Sequence, residues 1–126
     1  MIKTIHTNKA PQAIGPYSQA VQAGGFLFLS GQIPIIPETG EVVNGDVVAQ
    51  TQQVMHNIKA ILETEGIPVQ QIVKTTIYVK DLSEFSKINE AYAKALDGHH
   101  PARSTVEVSR LPKDVSIEID VIARKS

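Results

Sequence analysis

Apolar and polar positions alternate with two different periods along this chain, and the period decides each element. Near the N-terminus the apolar runs are short: Ile2 to His6, Ser18 to Ala23 and Phe26 to Ser30 each read as a strand. Gly24-Gly25 lies between the last two and suits a hairpin turn that needs positive φ. From Ala10 to Tyr17 two prolines and a glycine mark a loop, and Ile35 to Asp46, with Pro37, Gly40 and Gly45, marks a longer one. Helical spacing begins at Val47. Val48, Met55, Ile58, Ile61 and Leu62 share one face of a helix over 47–65, with Met55 as core filler. Asp46 is placed as its N-cap and Gly66 as its C′ residue. Ile72 to Val79 is apolar on both faces, as a covered central strand is. Asp81 and Glu84 have capping-box spacing before a second helix, whose stripe is Phe85, Ile88, Tyr92, Ala95 and Leu96.

The last quarter returns to period 2. Ser104, Val106 and Val108 alternate with Arg103, Thr105 and Glu107, and Val115 to Ala123 alternates apolar residues with Ser116, Glu118 and Asp120. Leu111-Pro112-Lys113-Asp114 is turn chemistry. These two strands are expected to form a hairpin closed across Ser109 to Asp114. Val106 then meets Ile117, Thr105 meets Glu118 and Arg103 meets Asp120. Arg103 and Glu118 become diagonal neighbours on one polar face. Such a pair is either a receptor for a small carboxylate and a water or an ordinary cross-strand ion pair. The element order of strands, helix, strand, helix and strands predicts an α+β sheet with both helices on one face.

Length adds one domain, 1–126, able to bury about two-thirds of its unfolded surface. Charge is nearly balanced, 12 basic against 13 acidic residues, so no electrostatic footprint for nucleic acid or an anionic membrane is expected. No apolar run is long enough to span a bilayer and no signal-peptide pattern opens the chain, which predicts a cytosolic protein. The absence of cysteine excludes disulfides, thiol nucleophiles and thiolate metal sites. His6, His56, His99 and His100 lack the spacing of converging zinc ligands and read as surface or loop residues. No glycine-rich phosphate loop occurs. Ser30 lacks the glycine pattern of a hydrolase elbow and reads as a hydrogen-bonding residue at a strand end. Tyr17 reads as a buried aromatic with a satisfied hydroxyl.

Four segments carry a further signal. They are Ala13-Ile14-Gly15-Pro16-Tyr17-Ser18-Gln19-Ala20, Leu29 to Pro34, Val73 to Leu82, and Pro101 to Val108 with Leu111 to Glu118. In this order they resemble the reactive intermediate deaminase A (RidA, or YjgF-like) family across essentially the whole chain. The resemblance implies a chorismate-mutase-like fold, mainly antiparallel, in a homotrimer with clefts between subunits. It implies hydrolysis of 2-imino acids and their enamines to 2-keto acids and ammonia, with no cofactor and no metal. By the resemblance Arg103 binds the substrate carboxylate and Glu118 holds a water or acts as base. Tyr17, Ser30, Gly31, Phe85 and Thr105 match cleft positions. Many family members carry cysteine where this chain has Thr105, so a thiol-based switch cannot operate here. Ribonuclease or translation-inhibitor activity, attributed to some relatives, and a non-catalytic ligand-binding trimer are the rival expectations. Arg103 serves either the enzyme or the binding module.

Overall fold

The computed structural model describes residues 1–125. Its strands are β1 (Lys3–Ile5), β2 (Ala20–Ala23), β3 (Phe26–Gln32), β4 (Ile72–Val79), β5 (Ala102–Glu107) and β6 (Ile117–Arg124). The helices are α1 (Val47–Thr64) and α2 (Phe85–Leu96). One six-stranded sheet has the order β1-β2-β3-β6-β4-β5. All neighbours are antiparallel except β4 and β5, which run parallel.

The helices form where the periodicity places them. Asp46 caps α1 by accepting from the Ala49 N–H at 2.9 Å, and Gly66 follows the helix at φ +67°, a conformation that suits a residue without Cβ. Val54, Met55, Ile58, Ile61 and Leu62 of α1 and Ile88, Tyr92 and Leu96 of α2 are buried. They cover Leu27 and Leu29 of β3, Ile77 and Val79 of β4, and Ile117, Ile119 and Val121 of β6. Among the described residues no element covers the opposite face of the sheet. Phe28 there is 44% exposed and Val106 42%.

The capping at α2 differs from the expected box. Asp81 caps a short 3₁₀ turn at Leu82–Glu84, accepting from the Ser83 N–H at 2.9 Å. Glu84 pairs forward with Lys87 rather than reaching back. The Leu82 N–H instead donates to Glu107 Oε1 at 2.9 Å, so the carboxylate comes from β5.

The expected hairpin of the last two strands does not form. β5 pairs with β4, Arg103 opposite Thr75 and Thr105 opposite Ile77. β6 lies on the other side of β4, with Tyr78 opposite Glu118 and Thr76 opposite Asp120. A strand, a helix and a second strand make a crossover, and a crossover delivers its strands parallel. The ring of His99, half-buried, bonds the Ile72 carbonyl at 2.7 Å, which draws the chain after α2 back to the start of β4. β5 also turns its faces the other way from expectation. Arg103, Thr105 and Glu107 point toward α2, and Val106 points to the open face.

Candidate functional site

The predicted site residues divide between two places. Arg103, Phe85 and Thr105 lie between the sheet edge and α2. Tyr17, Ser30, Gly31 and Glu118 gather on the open face, at the other end of β6 and β3.

At the edge, Arg103 is clamped by α2. Its guanidinium carbon sits 5.1 Å from the Phe85 ring centroid and 5.4 Å from that of Tyr92. Its Nη1 donates to Asn89 Oδ1 at 2.7 Å. Stacking on aromatic faces and one hydrogen bond fix the plane of the fork. The Tyr92 hydroxyl is fixed in turn against the buried Thr75 hydroxyl at 2.7 Å. Burial raises the Tyr92 phenol above its ordinary range, and Thr75 and Arg103 oppose that rise. Among the described residues no carboxylate pairs with Arg103. Its remaining donors face a cavity of about 370 Å³ lined also by Leu96, His99 and His100. Thr105 keeps a buried hydroxyl with no hydrogen-bond partner among the described residues.

On the open face a bulge shapes the second place. The β3–β6 register shifts between Leu29 and Gln32, which sets Ser30 and Gly31 off the ladder. Ser30 acts as the expected strand-end residue: its hydroxyl donates to the Ser18 carbonyl at 2.6 Å and its N–H to the Gln19 carbonyl at 2.9 Å. Gly31 is needed for close approach. A Cβ there would lie 2.8 Å from Cδ of Glu118 and 3.1 Å from Cγ. The Glu118 carboxyl is raised above the ordinary carboxylate range, first by burial and then by the neighbouring charge of Asp120. Tyr17 is not the buried aromatic expected. It is 53% exposed, and its hydroxyl accepts from the Ile14 N–H at 3.4 Å. The loop that carries it is pinned by Gln19, which is buried and bonds both backbone groups of Thr7 and the Pro11 carbonyl. Tyr17, Gly31, Glu118 and Lys113 line a cavity of about 340 Å³. Lys113 and Asp114 both hold left-handed φ, 54° and 56°, and Lys80 ties the turn by binding Asp114 at 2.6 Å.

The diagonal contact expected between Arg103 and Glu118 is therefore absent. Two strand spacings and three residues along the strand separate their Cα atoms by roughly 14 Å. Their side chains also leave opposite faces of the sheet. Within one chain the Arg103 guanidinium and the Glu118 carboxyl therefore line separate cavities. Sequence reasoning also missed Asn89, Lys113 and the pair Tyr78–Asp120. Asn89 did leave a signal: it follows Phe85 by four residues and precedes Tyr92 by three, a polar residue set in the apolar stripe.

Among the described residues no group of His, Cys, Asp or Glu is placed to hold a metal ion, and no helix is long and apolar enough to cross a membrane. Residues 7–125 match the family model described as Endoribonuclease L-PSP. A RutC family protein of Pyrococcus horikoshii is 57% identical over 125 residues, 99% of each chain. The 2-iminobutanoate/2-iminopropanoate deaminase of Escherichia coli K12 is 54% identical over 126 residues, 98% of each. Among solved structures, YyfA of Yersinia pestis, of the conserved Rid protein family, superposes with TM-score 0.96 at 50% identity, covering 98% of this chain and 99% of that one. E. coli TdcF with bound serine superposes with TM-score 0.93 at 47% identity and the same coverage.

Proposed function

The chain belongs to the YjgF/RidA family, and we propose that this member hydrolyses small 2-imino acids, such as 2-iminopropanoate and 2-iminobutanoate, to 2-keto acids and ammonia. The cleft is completed between copies of the chain, Arg103 of one protomer facing Glu118 of the next in a homotrimer. The observation that carries this reading is the division itself. An unpaired, stacked guanidinium stands on one side of the protomer, and a carboxyl of raised proton affinity stands on the other. The exposed Phe28 and Val106 on the open face support assembly through that face.

The chemistry needs little beyond placement. The guanidinium fork binds the substrate carboxylate through two charge-assisted hydrogen bonds. C2 of the iminium is already electrophilic. A water held by Glu118 bonds to C2 through its oxygen, one water proton passes to the Glu118 carboxylate, and the C=N pair moves onto nitrogen. Glu118 then returns that proton to nitrogen. The C–N bond breaks, C=O forms from the hydroxyl, and the hydroxyl proton leaves with the nitrogen as ammonium. Tyr17 walls the cleft, and the Gly31 backbone closes on the Glu118 side chain.

The test uses imine generated by a serine or threonine dehydratase, with keto-acid release timed with and without this protein. Acceleration is expected, and its loss in Arg103→Ala and Arg103→Lys, since lysine lacks the fork. Mixing Arg103→Ala with Glu118→Gln protomers, denatured and refolded together, is expected to restore about one quarter of the sites, because each shared site then draws its two groups from different chains. No acceleration by the unaltered protein, or RNA cleavage that disappears with Arg103→Ala, overturns the reading.

A further inference from the structure

The open face carries a second carboxylate that hydrolysis as described leaves unused. Asp120 stands two residues beyond Glu118 on β6, so both side chains leave the same face, about 7 Å apart along the strand. Tyr78 of β4 is the register partner of Glu118, yet its hydroxyl crosses the ladder diagonally and donates to Asp120 Oδ2 at 3.1 Å. Glu118, Asp120 and Tyr78 are all half-buried. Among the described residues Asp120 has no salt-bridge partner, and Glu118 has no hydrogen-bond donor from any side chain. The groups around Glu118 are few. β3 offers the backbone of Gly31, the loop before β2 offers Tyr17, the turn before β6 offers the Lys113 ammonium across the cavity, and β4 and β6 offer Tyr78 and Asp120.

We propose that Asp120, held by Tyr78, is a positioning residue that makes Glu118 the carboxyl that takes and keeps the proton between the two halves of imine hydrolysis. The inference rests on the role given to Glu118 above. A carboxylate so placed on the same partly dry face disfavours a second negative charge on Glu118 and, after burial, raises its proton affinity. The Tyr78 hydroxyl fixes where that charge stands, because its hydrogen bond holds the Asp120 carboxylate in place. The Tyr78 phenol is itself pushed up, first by burial and then by its bond to Asp120, so it remains a donor across the neutral range. In the assembled cleft the neighbour's Arg103 pulls Glu118 toward ionisation, and Asp120 offsets that pull. A base so balanced can accept the water proton and release it to nitrogen.

The test follows the Glu118 carboxyl directly, by 13C NMR titration of the assembled protein, together with the pH profile of kcat/KM. Asp120→Asn is expected to move the Glu118 titration and the acid limb to lower pH and to reduce kcat about tenfold. Tyr78→Phe is expected to move both in the same direction with the trimer intact, and to add nothing in the Asp120→Asn background. An unmoved Glu118 titration in assembled Asp120→Asn overturns the proposal. Should Asp120→Asn fail to assemble, an unmoved titration in Tyr78→Phe overturns it equally. If the unaltered protein does not hydrolyse imines, the functional reading fails, while the carboxyl titration still decides whether Asp120 governs Glu118.

Discussion

Replacing Gly31 with alanine separates the site from the fold in one substitution. Gly31 is not among the residues of positive φ, so alanine adopts its backbone conformation without strain. The three nearest atoms to the new methyl all belong to the Glu118 side chain, with Cδ at 2.8 Å and Cγ at 3.1 Å. Ordinary contact needs 3.4 Å or more. The carboxyl carbon must therefore withdraw by at least about 0.6 Å, and the nearer carboxylate oxygen by more. Glu118 yields through its own torsions, so β3 and β6 keep their pairing. Stability is expected to change by less than about 1 kcal/mol. Catalysis is expected to suffer far more, since a misplacement near 1 Å costs about 10²-fold, equivalent to about 2.7 kcal/mol of barrier. In the dehydratase-coupled assay kcat should fall and KM should move little, because Arg103 still binds the carboxylate. Thermal unfolding at matched protein concentration should leave the midpoint within a few degrees. A parent-like kcat would refute the placement of Glu118 in the chemistry.

Three further outcomes follow from other contacts. Glu65, its side chain only 7% exposed, accepts from Lys125 at 2.9 Å and Lys3 at 3.3 Å, and so ties both chain ends to the end of α1. The Lys125 hydrogen bond lowers its carboxyl below the ordinary range against the opposing effect of burial. A depressed pKa gives stability that is full above the unfolded value near 4.3 and is lost as pH falls through the folded one. Glu65→Gln is therefore expected to cost about 1–2 kcal/mol at pH 7, read from denaturant unfolding, with the gap closing in acid below the ordinary glutamate range. Asn89→Ala releases the Arg103 fork from its only hydrogen bond to α2, and is expected to raise KM about tenfold with a smaller change in kcat. If the proposed site is shared between copies of the chain, specific activity should fall on dilution in step with dissociation seen in sedimentation.

The helices and the central strands were legible because burial imposed a period. α1 and α2 each turn one stripe inward, and β6 alternates Ile117, Ile119 and Val121 against Glu118 and Asp120. The partner of β5 was not read from the same pattern, though a different signal was present. β4, α2 and β5 form a strand, a helix and a strand, which is the sequence of a parallel crossover. β3, α1 and β4 form another, wide enough that β6 enters antiparallel between them. Two crossovers of the same hand advancing in the same direction put both helices on one face. A hairpin of β5 with β6 would have left α2 with no strand to cross to.

The site departs from the pattern of the chain because β5 inverts its faces. In a period-2 strand the apolar set is assigned to the core, and in β5 that set is Ser104, Val106 and Val108. The assignment assumes that the covering helix offers only apolar atoms. α2 offers the rings of Phe85 and Tyr92, the Asn89 amide oxygen and, just before it, the Leu82 N–H. Those groups call for a guanidinium and a carboxylate, which Arg103 and Glu107 supply. The polar side of β5 therefore turns inward, and Val106 turns out to the open face. One inversion accounts for the rest. It moves Arg103 to the opposite face from Glu118, strips the expected ion pair of its geometry, and leaves the Arg103 cation without a carboxylate partner among the described residues. A charge left unpaired beside a cavity is costly unless something arrives to meet it. In the function proposed above, the substrate carboxylate meets Arg103, and a water and the neighbour's cation meet Glu118.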